Sequence, residues 1–168
     1  MKSQSDYALS ADAVAADIGM LMRTQVQCVL ATLSPTAPSQ HLMAYAFDAD
    51  LRTVYVTSMR QTEKVGNMSR RPAVSMLWDN RTGNTKDHVE GTALMATGHA
   101  TLLNSDHCAQ PASALQSRNS SLTDLLNHAD SAIMAICISG YRLVRGYASI
   151  IHYEPAVHLV TDQSTRRT

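Results

Sequence analysis

A chain of 168 residues is about one domain long and can bury most of its apolar surface around a single core. Lysines and arginines total 14 and acids total 14, so the formal charge is zero; such a surface excludes strong attraction to nucleic acid and leaves self-association unopposed. Cys28, Cys108 and Cys137 stand at long spacings that exclude a disulfide framework and a paired CxxC zinc site and fit a reducing cytoplasm.

Ser10 is placed to cap a first helix over 10–24, with Asp12 in its first turn and Val14, Ile18, Leu21 and Met22 forming one apolar stripe. Asp12 and Asp17 interrupt this segment, so it is not a secretory signal. No stretch elsewhere approaches the roughly 20 apolar residues needed to cross a bilayer, and no membrane association is expected. VQCVLATL, 26–33, reads as a strand ended by the turn signal SPTAPS, and QHLMAYAF, 40–47, reads as the next.

After the polar connection FDADLR, the run TVYVT, 53–57, alternates: Val54 and Val56 face one way, Thr53, Tyr55 and Thr57 the other. A short helix over 63–70 leads past Pro72 into AVSMLW, 73–78. Beyond the polar DNRTGNTKDH, VEGTALMATGHATLLN, 89–104, reads as one long strand in which Gly91 and Gly98 mark a bulge or bend. The segment 105–130 carries helical fragments broken around Pro111 and Asn119, and IMAICISGYRLVRG and YASIIHYE close the chain as a strand pair hinged near Gly146. Cys28 and Cys137 lie in apolar runs and read as small buried hydrophobes. Six or seven strands joined by short turns predict a mostly β domain, an antiparallel sheet closing into a barrel with helices outside. One domain spans 1–168, with 1–9 and the polar end TDQSTRRT, 161–168, as frayed termini.

The connection TSMRQTEKVGNMSRRP, 57–72, collects two hydroxyls, a threonine at a helix start and a lysine just inside it. Amides of a first helical turn attract anions, and Lys64 with Thr57, Ser58 and Thr62 would add hydrogen bonds to a phosphate. The same spacing also suits a threonine that merely caps a surface helix beside a solvated lysine. Neither GxGxxG nor GxxxxGKS is present.

An N-terminal helix, then ATLSPTAPSQHLMAY, VYVTSMRQTEKVGNMSRRPAVSMLW, GHATLL and YRLVRGYASIIHYEP together resemble the pyridoxamine 5'-phosphate oxidase-like FMN-binding split-barrel proteins, over about 26–155. The hydroxyl pair, lysine, asparagine and proline of that family are matched by Thr57, Ser58, Lys64, Asn67 and Pro72. The resemblance implies an antiparallel split β-barrel in which Thr57, Ser58 and Lys64 hold the FMN phosphate and main-chain groups of His41, Leu42 and Met43 run along the isoalloxazine ring. It also implies a homodimer with flavin at the interface, where Trp78, Asn80 and Arg81 reach the mate's cofactor or pack the contact; for Trp78 an ordinary core position is the other reading. Glu63 and His41 stand where many relatives carry arginine.

The function expected from the resemblance is FMN-dependent oxidoreduction of a small organic substrate, with no assigned catalytic residue; the alternative is a binding module for haem, a deazaflavin or another ligand. A true pyridoxamine phosphate oxidase is not expected, because YASIIHYEPAVHLVTDQSTRRT lacks the tryptophan and arginine-rich segment of those enzymes. Seven histidines form no HExxH and fall on separate elements, so no metal site is assigned.

Overall fold

A computed structural model describes residues 10–146 and 149–155. Helix α1, Ala11–Thr24, begins where the sequence places it: Ser10 Oγ accepts from the Ala13 amide at 3.2 Å, and Val14, Ile18, Leu21 and Met22 face the core. Strands β1, Gln27–Leu33, and β2, Pro38–Phe47, form an antiparallel pair, followed by β3, Thr53–Met59. Helix α2, Glu63–Arg70, precedes β4, Ala73–Asp79. A four-residue helix α3, Asp87–Glu90, leads to β5, Thr92–Leu102, and the helices α4, Ala109–Arg118, and α5, Thr123–Leu126, to β6, Ser131–Arg145, and β7, Ser149–Tyr153.

The sheet runs β3-β2-β1-β4-β5-β6-β7, and β3 also pairs with β6. Six strands therefore close an antiparallel barrel, with β7 added outside the closure. β6 makes this possible by changing partners along one edge: residues 131–137 pair with β3, and 141–145 pair with β7. Its other edge stays with β5 throughout.

The inward residues Leu30, Tyr45, Val54, Met76, Trp78, Leu94, Met134, Ile136 and Leu143 make the main core, closed at one end by α1 and at the other by Val65 and Met68 of α2. The face of β3 that carries Tyr55 and Thr57 is not solvated as its polarity suggests. Tyr55 packs with Ala46, Leu115 and Ile133 under α4 and α5.

Several expectations need correction. Residues 89–91 are not strand: the Asp87 carboxylate accepts from the amides of Thr82, Gly83 and Asn84, which winds this segment into a helical turn ending at Gly91. Pro111 does not break a helix, because it sits in the first turn of α4, where no intrahelical partner for its missing N–H is needed. Cys137 is exposed, since alternation along β6 points it outward between Ile136 and Ile138. Gly98 does mark a bulge: the β5–β6 register shifts there, and a Cβ would lie 2.4 Å from the Cys137 carbonyl oxygen. Gly146 turns the chain with φ 54°. The termini expected to fray, 1–9 and 161–168, lie outside the described residues.

Candidate functional site

β3 ends beside α2, and the turn between them gathers polar side chains. Thr62 stands at the N-cap of α2, yet its side chain does not cap the helix. Its hydroxyl donates instead to the Met59 carbonyl at 2.8 Å, so the donor at 3.1 Å is Ser58 Oγ, and Lys64 Nζ in turn donates to Ser58 Oγ at 3.4 Å. The chain of donors runs from Lys64 through Ser58 and Thr62 to the backbone. The first-turn amides of α2 receive no side-chain cap, and among the described residues Lys64 makes no ion pair.

Glu63, next to this lysine, directs its carboxylate to neutral donors while its charge still acts on Lys64 and His41. Its Oε1 accepts from Ser39 Oγ at 2.9 Å and from Asn67 Nδ2 at 3.4 Å. Those bonds, Ser39's first, hold its carboxyl below the usual carboxylate range. Asn67 is fully buried and also donates to Thr32 Oγ1 at 3.1 Å, and Thr32 meets His41 Nε2 at 3.1 Å. Ser39, Thr32 and His41 thus form one network with α2. Burial lowers the His41 imidazole below its ordinary value, nearby Lys64 lowers it further, and Glu63 acts the other way.

The strand beneath is open on one side. β2 pairs with β1 from Pro38 to Ala44, but with β3 only through Tyr45, Ala46 and Phe47. Past that point β2 and β3 diverge, so His41, Leu42 and Met43 have backbone on an edge that β3 does not cover. Leu42 is 65% exposed and Met43 is buried.

The structure separates the other expected site residues. Thr57 lies on the opposite face of β3 from Ser58, as strand alternation requires; it is buried and donates to the Ala132 carbonyl at 3.2 Å. Asn67 is committed to the α2–β1 contact. Trp78 is 1% exposed and packs edge-on against Tyr45, with ring centroids 5.6 Å apart, which is the core position. Asn80 accepts from the Thr92 amide at 2.7 Å and Arg81 clamps Asp79, at the end of the barrel away from Lys64.

Two grooves lie on the outer face of the sheet and share Ser75 and Thr97. One, of about 350 Å³, is walled by Ala31, Leu33, Pro38 and Ala73 with His99 at its margin. The other, of about 420 Å³, carries Arg142, His152 and Glu154. Among the described residues no cluster of three or more metal-ligating side chains occurs, and no helix is long and apolar enough to cross a membrane.

No protein-family model matches the chain, and no curated protein does. Solved structures do. A heme binding protein from Mycobacterium smegmatis superposes with a TM-score of 0.75 at 15% identity, over 88% of this chain and 59% of that one. A protein from Clostridium acetobutylicum related to general stress protein 26 of Bacillus subtilis, of the pyridoxinephosphate oxidase family, gives 0.66 at 10% identity, over 87% and 96%. The chain has the split-barrel fold of pyridoxamine 5'-phosphate oxidase-like proteins. HutZ, the heme storage protein of Vibrio cholerae, shares that split barrel with a TM-score of 0.65 at 15% identity, over 75% of this chain and 91% of HutZ. The present split barrel spans about three-fifths of the Mycobacterium smegmatis protein.

Sequence reasoning missed Ser39 and Thr32. Glu63 and Asn67, four apart, share one face of α2, but that spacing does not name their partners on the β1–β2 hairpin.

Proposed function

We propose that the protein binds FMN and acts as a cytoplasmic, homodimeric oxidoreductase on a small organic substrate. The observation that supports this most is the pairing of Lys64 with Ser58 while the Glu63 carboxylate is turned to Ser39 and Asn67. The arrangement fits a phosphate: a cation that makes no ion pair among the described residues, a hydroxyl that can turn toward the ligand, and uncapped amides of α2. It also fits a planar ring, because the uncovered edge of β2 at 41–43 offers main-chain hydrogen-bonding groups beside the same cluster.

Bound FMN would supply the electron and hydride chemistry. Lys64, Ser58 and Thr62 bind its phosphate, and the His41–Met43 backbone orients the ring. Thr57 and Asn67 support the site from behind by fixing β3 against β6 and α2 against β1. Trp78 is left to the core, and Asn80 and Arg81 contribute only across a dimer contact. Apo-protein titrated with FMN, followed by quenching of flavin fluorescence, tests the proposal; absence of saturable binding rejects it.

Haem is the second reading, favoured by the heme-binding neighbours and by the contiguous outer grooves flanked by His99, His152 and Arg142. The absorption spectrum of the purified, reconstituted protein separates the two: paired flavin bands or a single intense Soret band.

A further inference from the structure

The hydrogen bonds around Thr32 assign a proton. Asn67 Nδ2 can only donate, so Thr32 Oγ1 accepts there. Thr32 is 1% exposed, and its other partner among the described residues is His41 Nε2. Its single hydroxyl proton therefore goes to Nε2, and the neutral imidazole carries its own proton on Nδ1. Nδ1 has no hydrogen-bond partner among the described residues, and the half-buried ring lies within electrostatic reach of Lys64 and Glu63.

We infer that His41 is a proton-coupled contact of the anion site: it offers Nδ1–H to a phosphate and takes up a second proton, from bulk solvent, when a dianion binds. The inference rests on the reading of Lys64 and Ser58 as that site. Without an anion, three effects keep the ring neutral. It is partly desolvated, Lys64 repels its charge, and a proton on Nε2 would force Thr32 to accept from both Asn67 and His41 while its own proton lost a partner. A phosphate dianion beside Lys64 reverses the balance, because its charge favours imidazolium.

The charged groups that act on the ring are Lys64 and Glu63 of α2. Leu30 and Thr32 of β1 and Ser39 of β2 share its face of the sheet, and none titrates near neutral pH. Glu63 stays ionised across that range, being held low by Ser39 and Asn67. The sign follows. Anion binding raises the proton affinity of His41, so a dianion binds more tightly as pH falls from about 8.5 to about 6.5, a window that ends where a phosphate monoester itself takes up a proton, near pH 6.

The experiment follows the His41 ring nitrogens by NMR in apo-protein, with inorganic phosphate, and with FMN, alongside FMN and riboflavin titrations at pH 6.5 and 8.5. The expected result is the Nδ1–H tautomer in apo-protein and movement of the ring toward imidazolium with either phosphate-bearing ligand. FMN affinity should be about fivefold higher at pH 6.5, with no such change for riboflavin or in the His41→Gln protein. FMN binding that leaves His41 unmoved, or a pH effect shared by riboflavin, overturns the inference and leaves the flavin reading intact. Phosphate that moves His41 while FMN fails to bind upholds the inference and rejects the flavin. If neither ligand moves the ring, or the apo-protein shows the Nε2–H tautomer, the inference is overturned.

Discussion

The guanidinium of Arg118, on α4, lies 4.8 Å above the ring of Tyr45 on β2. Its Nε donates to the Tyr45 carbonyl at 3.0 Å, and its Nη2 to the carbonyls of Met22 and Gln25 at 2.9 and 3.0 Å. The Tyr45 hydroxyl reaches the same two carbonyls, at 2.6 and 2.8 Å. One arginine thus satisfies the C-terminal end of α1, where backbone acceptors have no helical partner, and ties it to β2 and α4. Phe47 adds a second ring 5.1 Å from the same guanidinium.

Arg118→Met is expected to cost about 2 to 3 kcal/mol, because charge-assisted hydrogen bonds and a cation–π contact are lost together and only the Tyr45 hydroxyl remains for the Met22 and Gln25 carbonyls. For a domain of this size that lowers Tm by about 5 to 10 °C, read by calorimetry. Lysine should restore only part of the loss, having no planar fork to reach three acceptors. An unchanged Tm in Arg118→Met would show that the clamp contributes nothing.

Lys64→Ala should weaken FMN binding by about 1.5 to 3 kcal/mol, the scale of a hydrogen bond to a charged group, or roughly 10- to 100-fold in Kd. Its Tm should stay with the parent protein, since Lys64 holds only Ser58 at 3.4 Å. Fluorescence titration of both apo-proteins measures it, and equal dissociation constants return Lys64 to the role of a solvated lysine.

Burial raises the Tyr45 hydroxyl to about 12. In the unfolded chain it ionises near pH 10, so its contribution is complete below pH 10 and is lost as pH rises toward about 12. Denaturation in urea from pH 8 to pH 11.5 should show stability falling above pH 10. Tyr45→Phe should remove part of that slope, up to about 2 kcal/mol between about pH 10 and pH 11.5. A parallel pair of curves would rule out Tyr45 as a source.

The proposed homodimer would bury Leu33, 41% exposed on the outer face, and the groove beside it. Sedimentation velocity at micromolar concentration should give twice the 18.3 kDa chain mass, and Leu33→Glu should shift it to monomer. A parent protein that sediments as a flavin-loaded monomer contradicts a shared site.

Local chemistry made much of this fold legible. Ser10, the α1 stripe, the helix before Pro72 and the alternation of β3 are each set by near neighbours in the chain, and the bulge was marked by Gly98 itself although the carbonyl that crowds it belongs to Cys137. Of the candidate site, the cluster of Lys64, Ser58 and Thr62 was legible in the sequence. That Thr57 and Ser58 diverge follows from strand period, yet a motif counted in one dimension groups them. Where Glu63 points depends on Ser39, 24 positions away, and the exposure of Cys137 depends on which face of β6 meets the core. Val89 continued an apolar alternation, but Asp87 gathered three amides and turned the chain before β5 began.

The change of partner along β6 has a kinetic consequence. The bonds that seal the barrel join Thr57 to Ala132, 75 positions apart, whereas β1–β2 and β2–β3 are joined by short turns. The early strands can zip as a meander, but their free edge waits for a strand that lies beyond α4 and α5. High contact order of this kind places folding in the millisecond-to-second range. On a ribosome the seal forms only after β6 has emerged, so the open rim of β3 is the surface most in need of protection while the chain is being made.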